Sequence, residues 1–130
     1  KNYEILYVTG KNDYEEISKK KFSDNVKVVP YIENMTRIAR LLLKITPNVI
    51  FATTTPVWDE FEWTHNDKIV RFNEIIVPEL KKLGVKINDL HSAVASDVHR
   101  YIKECDMIHL SDEGIKLCGE QVVKCIKEFE

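Results

Sequence analysis

This sequence predicts an α/β fold with a parallel sheet, on three observations. Short apolar runs recur near residues 5–8, 48–53 and 85–88. Segments with apolar residues at helical spacing separate them, so strands and helices alternate. Length and composition also fit one domain spanning residues 1–130, because 130 residues with 44% hydrophobic content are ordinary for a globular unit.

Taken in order, Ile5-Leu6-Tyr7-Val8 is a continuous apolar run bounded by Gly10, the pattern of a buried strand. Residues 11–29 are polar and charged and read as a long connection, with a helical turn around residues 14–20. Pro30 is well placed to open a helix, since its fixed φ suits a first turn. Ile32, Met35, Ile38, Ala39, Leu42 and Leu43 then recur at helical spacing until Pro47 stops the run. Residues 48–53 read as a second buried strand. The loop after it, residues 54–65, holds Pro56, Trp58 and Trp63. A long helix follows over residues 66–83, with Ile69, Phe72, Ile76 and Leu80 as its inner stripe. Pro78 is expected to kink it, and Gly84 to terminate it. Val85-Lys86-Ile87-Asn88 is a third strand, and residues 90–104 read as broken helix. Ser111 is a natural N-cap for a last helix whose apolar residues are Ile115, Leu117, Val122, Val123 and Ile126. Three strands are few for a parallel sheet covered on both faces.

Charge and composition exclude several classes. A formal net charge of −2 leaves no basic footprint for nucleic acid. Lys19-Lys20-Lys21 reads as a solvated turn or helix end. No apolar stretch is long enough to span a membrane. Three cysteines, Cys105, Cys118 and Cys125, argue against a disulfide framework and fit a reducing compartment such as the cytoplasm. Cys118 and Cys125 sit about 10 Å apart along one helix, too far to bridge. The spacings of His65, His91, His99, His109 and Cys105 match no zinc pattern, so no metal is expected. The chain has no Met at position 1 and enters a strand within a few residues, so a preceding segment is expected.

In open parallel sheets, ligands bind beyond the carboxyl ends of the strands. Four polar loops reach that edge. They hold Gly10-Lys11-Asn12-Asp13, Thr53-Thr54-Thr55-Pro56, Asn88-Asp89-Leu90-His91, and Asp106-Met107-Ile108-His109. The last is the most informative. A carboxylate three residues before an imidazole can orient the ring and stabilise the imidazolium formed when it takes a proton from a nucleophile. Without further context Gly10–Asp13 is a turn, and Asp106 with His109 an exposed pair beside a helix cap.

Together, in this order, the four blocks resemble the SGNH (GDSL-type) hydrolase family over about residues 3–127. Gly10-Lys11-Asn12-Asp13 resembles its G-x-N-D block, and Asp106-Met107-Ile108-His109 its D-x-x-H block. The resemblance implies a three-layer, flavodoxin-like α/β fold and ester hydrolysis through an acyl-serine, with no metal or organic cofactor. It implies His109 as general base, Asp106 as the residue holding its ring, and Asn12 as oxyanion donor. Gly10 would allow the tight turn beneath that amide. Thr53, Thr54 and Thr55 would line the floor of the site, and Asp89 would be structural. Trp58 and Trp63 would either offer a sugar-stacking platform or fold back onto the core. The substrate implied is a small acyl ester, such as an acetylated carbohydrate.

The chain departs from the family in one large respect. The Gly-Asp-Ser block that carries the nucleophile is absent, and Ser18, Ser23, Ser92, Ser96 and Ser111 have the wrong context. The expected architecture is therefore an incomplete SGNH domain lacking its N-terminal strands. In the family's strand order this leaves the Ile5–Val8 strand as an open edge, expected to be covered by the missing N-terminal segment or by a second copy of the chain. The alternative is a non-catalytic α/β binding or interaction domain on the same scaffold.

Overall fold

A computed structural model describes residues 24–129. The expected first strand, its edge and cover, Gly10, Asn12 and the lysine run lie outside the described residues.

The chain begins there with helix α1 (Asp24–Leu43), followed by strand β1 (Ile50–Ala52), helix α2 (Asn66–Lys82) and strand β2 (Lys86–Asn88). Two short helices, α3 (Leu90–Ala95) and α4 (Val98–Tyr101), lead to the last helix, α5 (Asp112–Lys127). The two strands pair in parallel, with Ile50 opposite Lys86, Phe51 opposite Ile87 and Ala52 opposite Asn88. The mixture of helix and parallel strand agrees with the α/β class. Pro30 does not open α1 but lies inside it, six residues after its start. A proline there removes one i→i−4 bond, a local cost that a twenty-residue helix tolerates.

Strand alternation sorts the side chains into two packing regions. Phe51 and Ile87 point to one face and join Val49 and Val85 against α1 and α2. Ile76 and Leu80 of α2, 0% and 1% exposed, and Ala39 of α1 are the centre of that core. The sequence marks Gly84 as the stop of α2, and the structure gives the reason. Gly84 has φ +91°, its N–H donates to the Lys81 carbonyl, and the Val85 N–H donates to the Leu80 carbonyl. This is a Schellman closure, with Leu80 and Val85 making the accompanying apolar contact.

On the other face, the Gln121 side chain of α5 donates to Asn88 at 2.7 Å. A second cluster, Val94, Ile102 and Cys118 with Trp58, Leu90 and Leu110 around it, joins α3, α4 and α5. Of the apolar residues expected along α5, Leu117 alone is drawn inward. Gly114 and Cys118 are buried and Leu117, Gln121 and Cys125 half-buried, whereas Ile115, Val122, Val123 and Ile126 are exposed. The helix has two stripes one residue, about 100°, apart. The described chain buries the small and polar one. Among the described residues no helix is long and apolar enough to cross a membrane.

Candidate active site

The carboxylate–imidazole pair is built by a local loop. Asp106 Oδ1 accepts the backbone N–H groups of Ile108 at 3.1 Å and His109 at 3.0 Å, an Asx-type turn. Its other oxygen, Oδ2, accepts from His109 Nδ1 at 2.8 Å. The three-residue spacing is what allows one carboxylate to close the turn and hold the ring together. The two backbone N–H groups, and then the ring, hold the Asp106 carboxyl down at about 2. An ionised carboxylate can only accept, so Nδ1 carries the proton and the basic lone pair is on Nε2. The His109 side chain is 76% exposed, so that nitrogen is open to a reacting group.

The turn has a backbone cost, because Met107 adopts φ +65°, rare for a non-glycine residue. Surrounding hydrogen bonds hold it there. The Met107 N–H donates to the Lys103 carbonyl, the Lys103 N–H to the His109 carbonyl, and the Trp58 N–H to the Met107 carbonyl at 3.0 Å. A bridge between Ile102 and Leu110 closes the base of the loop.

Helix α5 anchors the same loop. Ser111 caps it, its Oγ accepting from the Gly114 N–H at 3.1 Å and donating to the Arg100 carbonyl at 2.7 Å. The Ser111 N–H donates to the Tyr101 carbonyl at 2.8 Å. Gly114 stands against that same carbonyl so closely that a Cβ would lie 2.1 Å from its oxygen. The glycine is thus required for α5 to start where it does, three residues after His109.

The loop after β1 is braced by two asparagines of α2, which sequence reasoning missed. Asn73 is buried and holds both backbone groups of Thr54. Its Oδ1 accepts the Thr54 N–H at 3.0 Å and its Nδ2 donates to the Thr54 carbonyl at 2.9 Å. Asn66 does the same for Val57, at 2.9 and 2.8 Å, and also donates to Asp59. Their spacing of seven residues, two helical turns, puts both on the face beneath the loop. Asparagine is a poor helix former, so two on one face of a helix were the available signal. Gly114, equally poor in a first turn, was another.

Thr53 is buried with its hydroxyl committed, donating to Asp89 at 2.9 Å and accepting the His91 N–H at 3.0 Å. Partial burial raises the Asp89 carboxyl, but hydrogen bonds from Ser92 and Thr53 outweigh it and hold the group below its ordinary value. His91 Nδ1–H donates to the Thr54 carbonyl at 2.8 Å. Thr54 is exposed and Thr55 half-buried. Trp58 is half-buried. Its indole N–H donates to the Ile102 carbonyl, and its ring stacks on His99 at 4.2 Å and 7° while packing on the second core cluster. The structure therefore brings the Trp58 backbone to the Asp106–His109 loop and the Trp58 ring to the core.

The hydroxyls of Ser92, Ser96 and Ser111 serve local structure, donating to Asp89, the Ala93 carbonyl and the Arg100 carbonyl. Burial pushes the Cys118 thiol up, away from thiolate chemistry. Among the described residues no group of three His, Cys, Asp or Glu side chains is placed to hold a metal ion.

No family model matches the chain, and no solved structure matches it significantly. The chain is 26% identical over 141 residues to the GDSL esterase/lipase CPRD49 of Arabidopsis thaliana, covering 97% of this chain and 55% of that protein. It is 28% identical over 141 residues to the GDSL esterase/lipase WDL1 of Oryza sativa subsp. japonica, covering 97% of this chain and 54% of that protein. The chain thus spans about half the length of the curated relatives it matches.

Proposed function

We propose that this chain carries the acid–base arm of a GDSL-type serine ester hydrolase, acting on a small acyl ester such as an acetylated carbohydrate. The observation that carries the reading is the Asp106–His109 pair, with an ionised carboxylate on Nδ1 and a free Nε2 on an exposed ring. The GDSL similarity supports it.

In this reading the nucleophilic serine comes from outside these 130 residues. His109 Nε2 takes its proton as the hydroxyl attacks the ester carbonyl, and Asp106 stabilises the imidazolium. The ring then protonates the leaving alkoxide. In the second half it takes a proton from the water that attacks the acyl-serine, and the acid and the free serine are released. Asn12 would donate to the oxyanion from the turn at Gly10. Thr54 and Thr55 would border the substrate, whereas the Trp58 ring, turned to the core, would not offer a stacking platform. The complete domain would be the three-layer, flavodoxin-like form, with this chain as its C-terminal portion.

The test uses the full-length gene product with p-nitrophenyl acetate and a fluorophosphonate probe. Asp106→Asn turns an amide toward Nδ1 and forces the proton onto Nε2, so kcat should fall on the order of 10³-fold or more. The probe should label a serine outside this chain, and the 130-residue chain alone should stay unlabelled. Labelling at any serine of these 130 residues, or hydrolysis indifferent to Asp106→Asn, would refute the proposal.

A further inference from the structure

We infer that Asn66 is a positioning residue for the His109 imidazole, acting through the backbone of Trp58. The inference rests on the acid–base reading of His109 and extends it to a residue on a different helix.

The His109 ring is held by Asp106, and Asp106 can reach it only while the turn keeps Met107 at φ +65°. That conformation is unfavourable for a methionine and needs support from its surroundings. The support given to the Met107 carbonyl from outside the loop is the Trp58 N–H, at 3.0 Å. Trp58 is itself placed by two contacts. Its indole N–H donates to the Ile102 carbonyl at 3.2 Å, at the base of the same loop. The residue before it, Val57, is 3% exposed and clamped on both backbone groups by Asn66. Asn66 therefore sets the height at which the Trp58 N–H meets the Met107 carbonyl. The Val57 carbonyl held by Asn66 and the Trp58 N–H are the two sides of one planar peptide unit, a linkage too short to absorb the loss of the clamp.

The second asparagine supplies an internal control. Asn73 clamps Thr54, whose carbonyl accepts from His91 Nδ1–H at 2.8 Å. The two clamps lie on one helix face, have the same chemistry and lead to different histidines. A general loosening of the loop would disturb both rings. A positioning role predicts that each asparagine governs its own.

The experiment is ¹⁵N-histidine NMR on the full-length gene product, with the His91 and His109 rings each assigned by the loss of its signals when that histidine is substituted. In the unaltered protein both rings should show well-separated Nδ1 and Nε2 resonances, with the proton on Nδ1. In Asn66→Ala the two His109 resonances should move toward each other as tautomers mix, with His91 unchanged. In Asn73→Ala the pattern should reverse. Asn66→Asp keeps the acceptor for the Val57 N–H but sets a carboxylate oxygen against the Val57 carbonyl and Asp59, so it should move the His109 resonances at least as far, again with His91 unchanged, and it serves as the test if the alanine variant does not fold. With p-nitrophenyl acetate, Asn66→Ala should lower kcat about tenfold with KM within twofold. A folded variant with unchanged His109 resonances, or equal movement of both rings, would overturn the inference. An inactive unaltered protein whose His109 resonances still respond to Asn66→Ala would instead refute only the esterase reading.

Discussion

Replacing Gly114 with alanine sets two effects of opposite sign against each other. Alanine is the better helix former by up to about 1 kcal/mol, so propensity alone predicts a more stable protein. The structure predicts the reverse. The new Cβ would stand 2.1 Å from the Tyr101 carbonyl oxygen and 3.0 Å from its carbonyl carbon. Both atoms are backbone, and that oxygen already accepts the Ser111 N–H. No rotamer change relieves the contact, so the start of α5 must move back by roughly 1 Å, and overpacking of this kind costs about 1–3 kcal/mol. The shift also pulls the Gly114 N–H from the Ser111 cap, worth about 1 kcal/mol. The net is a loss of about 1–3 kcal/mol. For a domain of this size that lowers Tm by roughly 5–10 °C. Thermal unfolding of Gly114→Ala, followed by far-UV circular dichroism at constant pH, reads it directly. A Tm equal to or above the parent's would show that α5 is not seated on the Tyr101 carbonyl. The anchoring of the His109 loop described here would then be wrong.

Two further outcomes follow from the same contacts. Asn73→Ala leaves the Thr54 N–H without its partner and removes one of the two donors to the Thr54 carbonyl. Urea unfolding should show a loss of about 1–2 kcal/mol, and a change below about 0.5 kcal/mol would contradict the clamp. Asp106 is held at about 2 against an ordinary 3.8. A depressed folded value means that its contribution is fully present above about pH 4 and lost as pH falls through about 2. The stability difference between the parent and Asp106→Asn should therefore shrink across that window and be flat above it. A difference that grows on acidification would reverse the assignment.

Much of this arrangement was legible from residue order. Gly84 after an amphipathic stretch, Ser111 before another, and Asp106 three residues before His109 are local signals. Each acts within one turn of chain, so spacing alone conveys it. Pro30 misled because proline both opens helices and is tolerated inside them. The local signal does not distinguish the two, and α1 runs six residues further back. Apolar residues at 115, 122, 123 and 126 of α5 mark a face that can be buried, but not one that the described residues bury. For Trp58 the sequence left two readings, a sugar platform or a ring folded back onto the core, and the structure takes the second; residue order could not choose, because its ring and its N–H serve different partners far away in sequence.

The alternation of helix and strand, the helix stops and caps, and the carboxylate–imidazole pair can all be read from residue order, because each depends on neighbours a few residues apart. That α2 clamps the loop after β1 through Asn66 and Asn73 emerges once the chain is folded. The fold likewise ties this loop to Met107 through Trp58, and has Gly114 yield its side chain to a carbonyl thirteen residues earlier. Those contacts join segments whose separation in the chain carries no periodic signal. Backbone groups make them, and every residue has the same backbone groups, so they become specific only when the fold brings particular ones together.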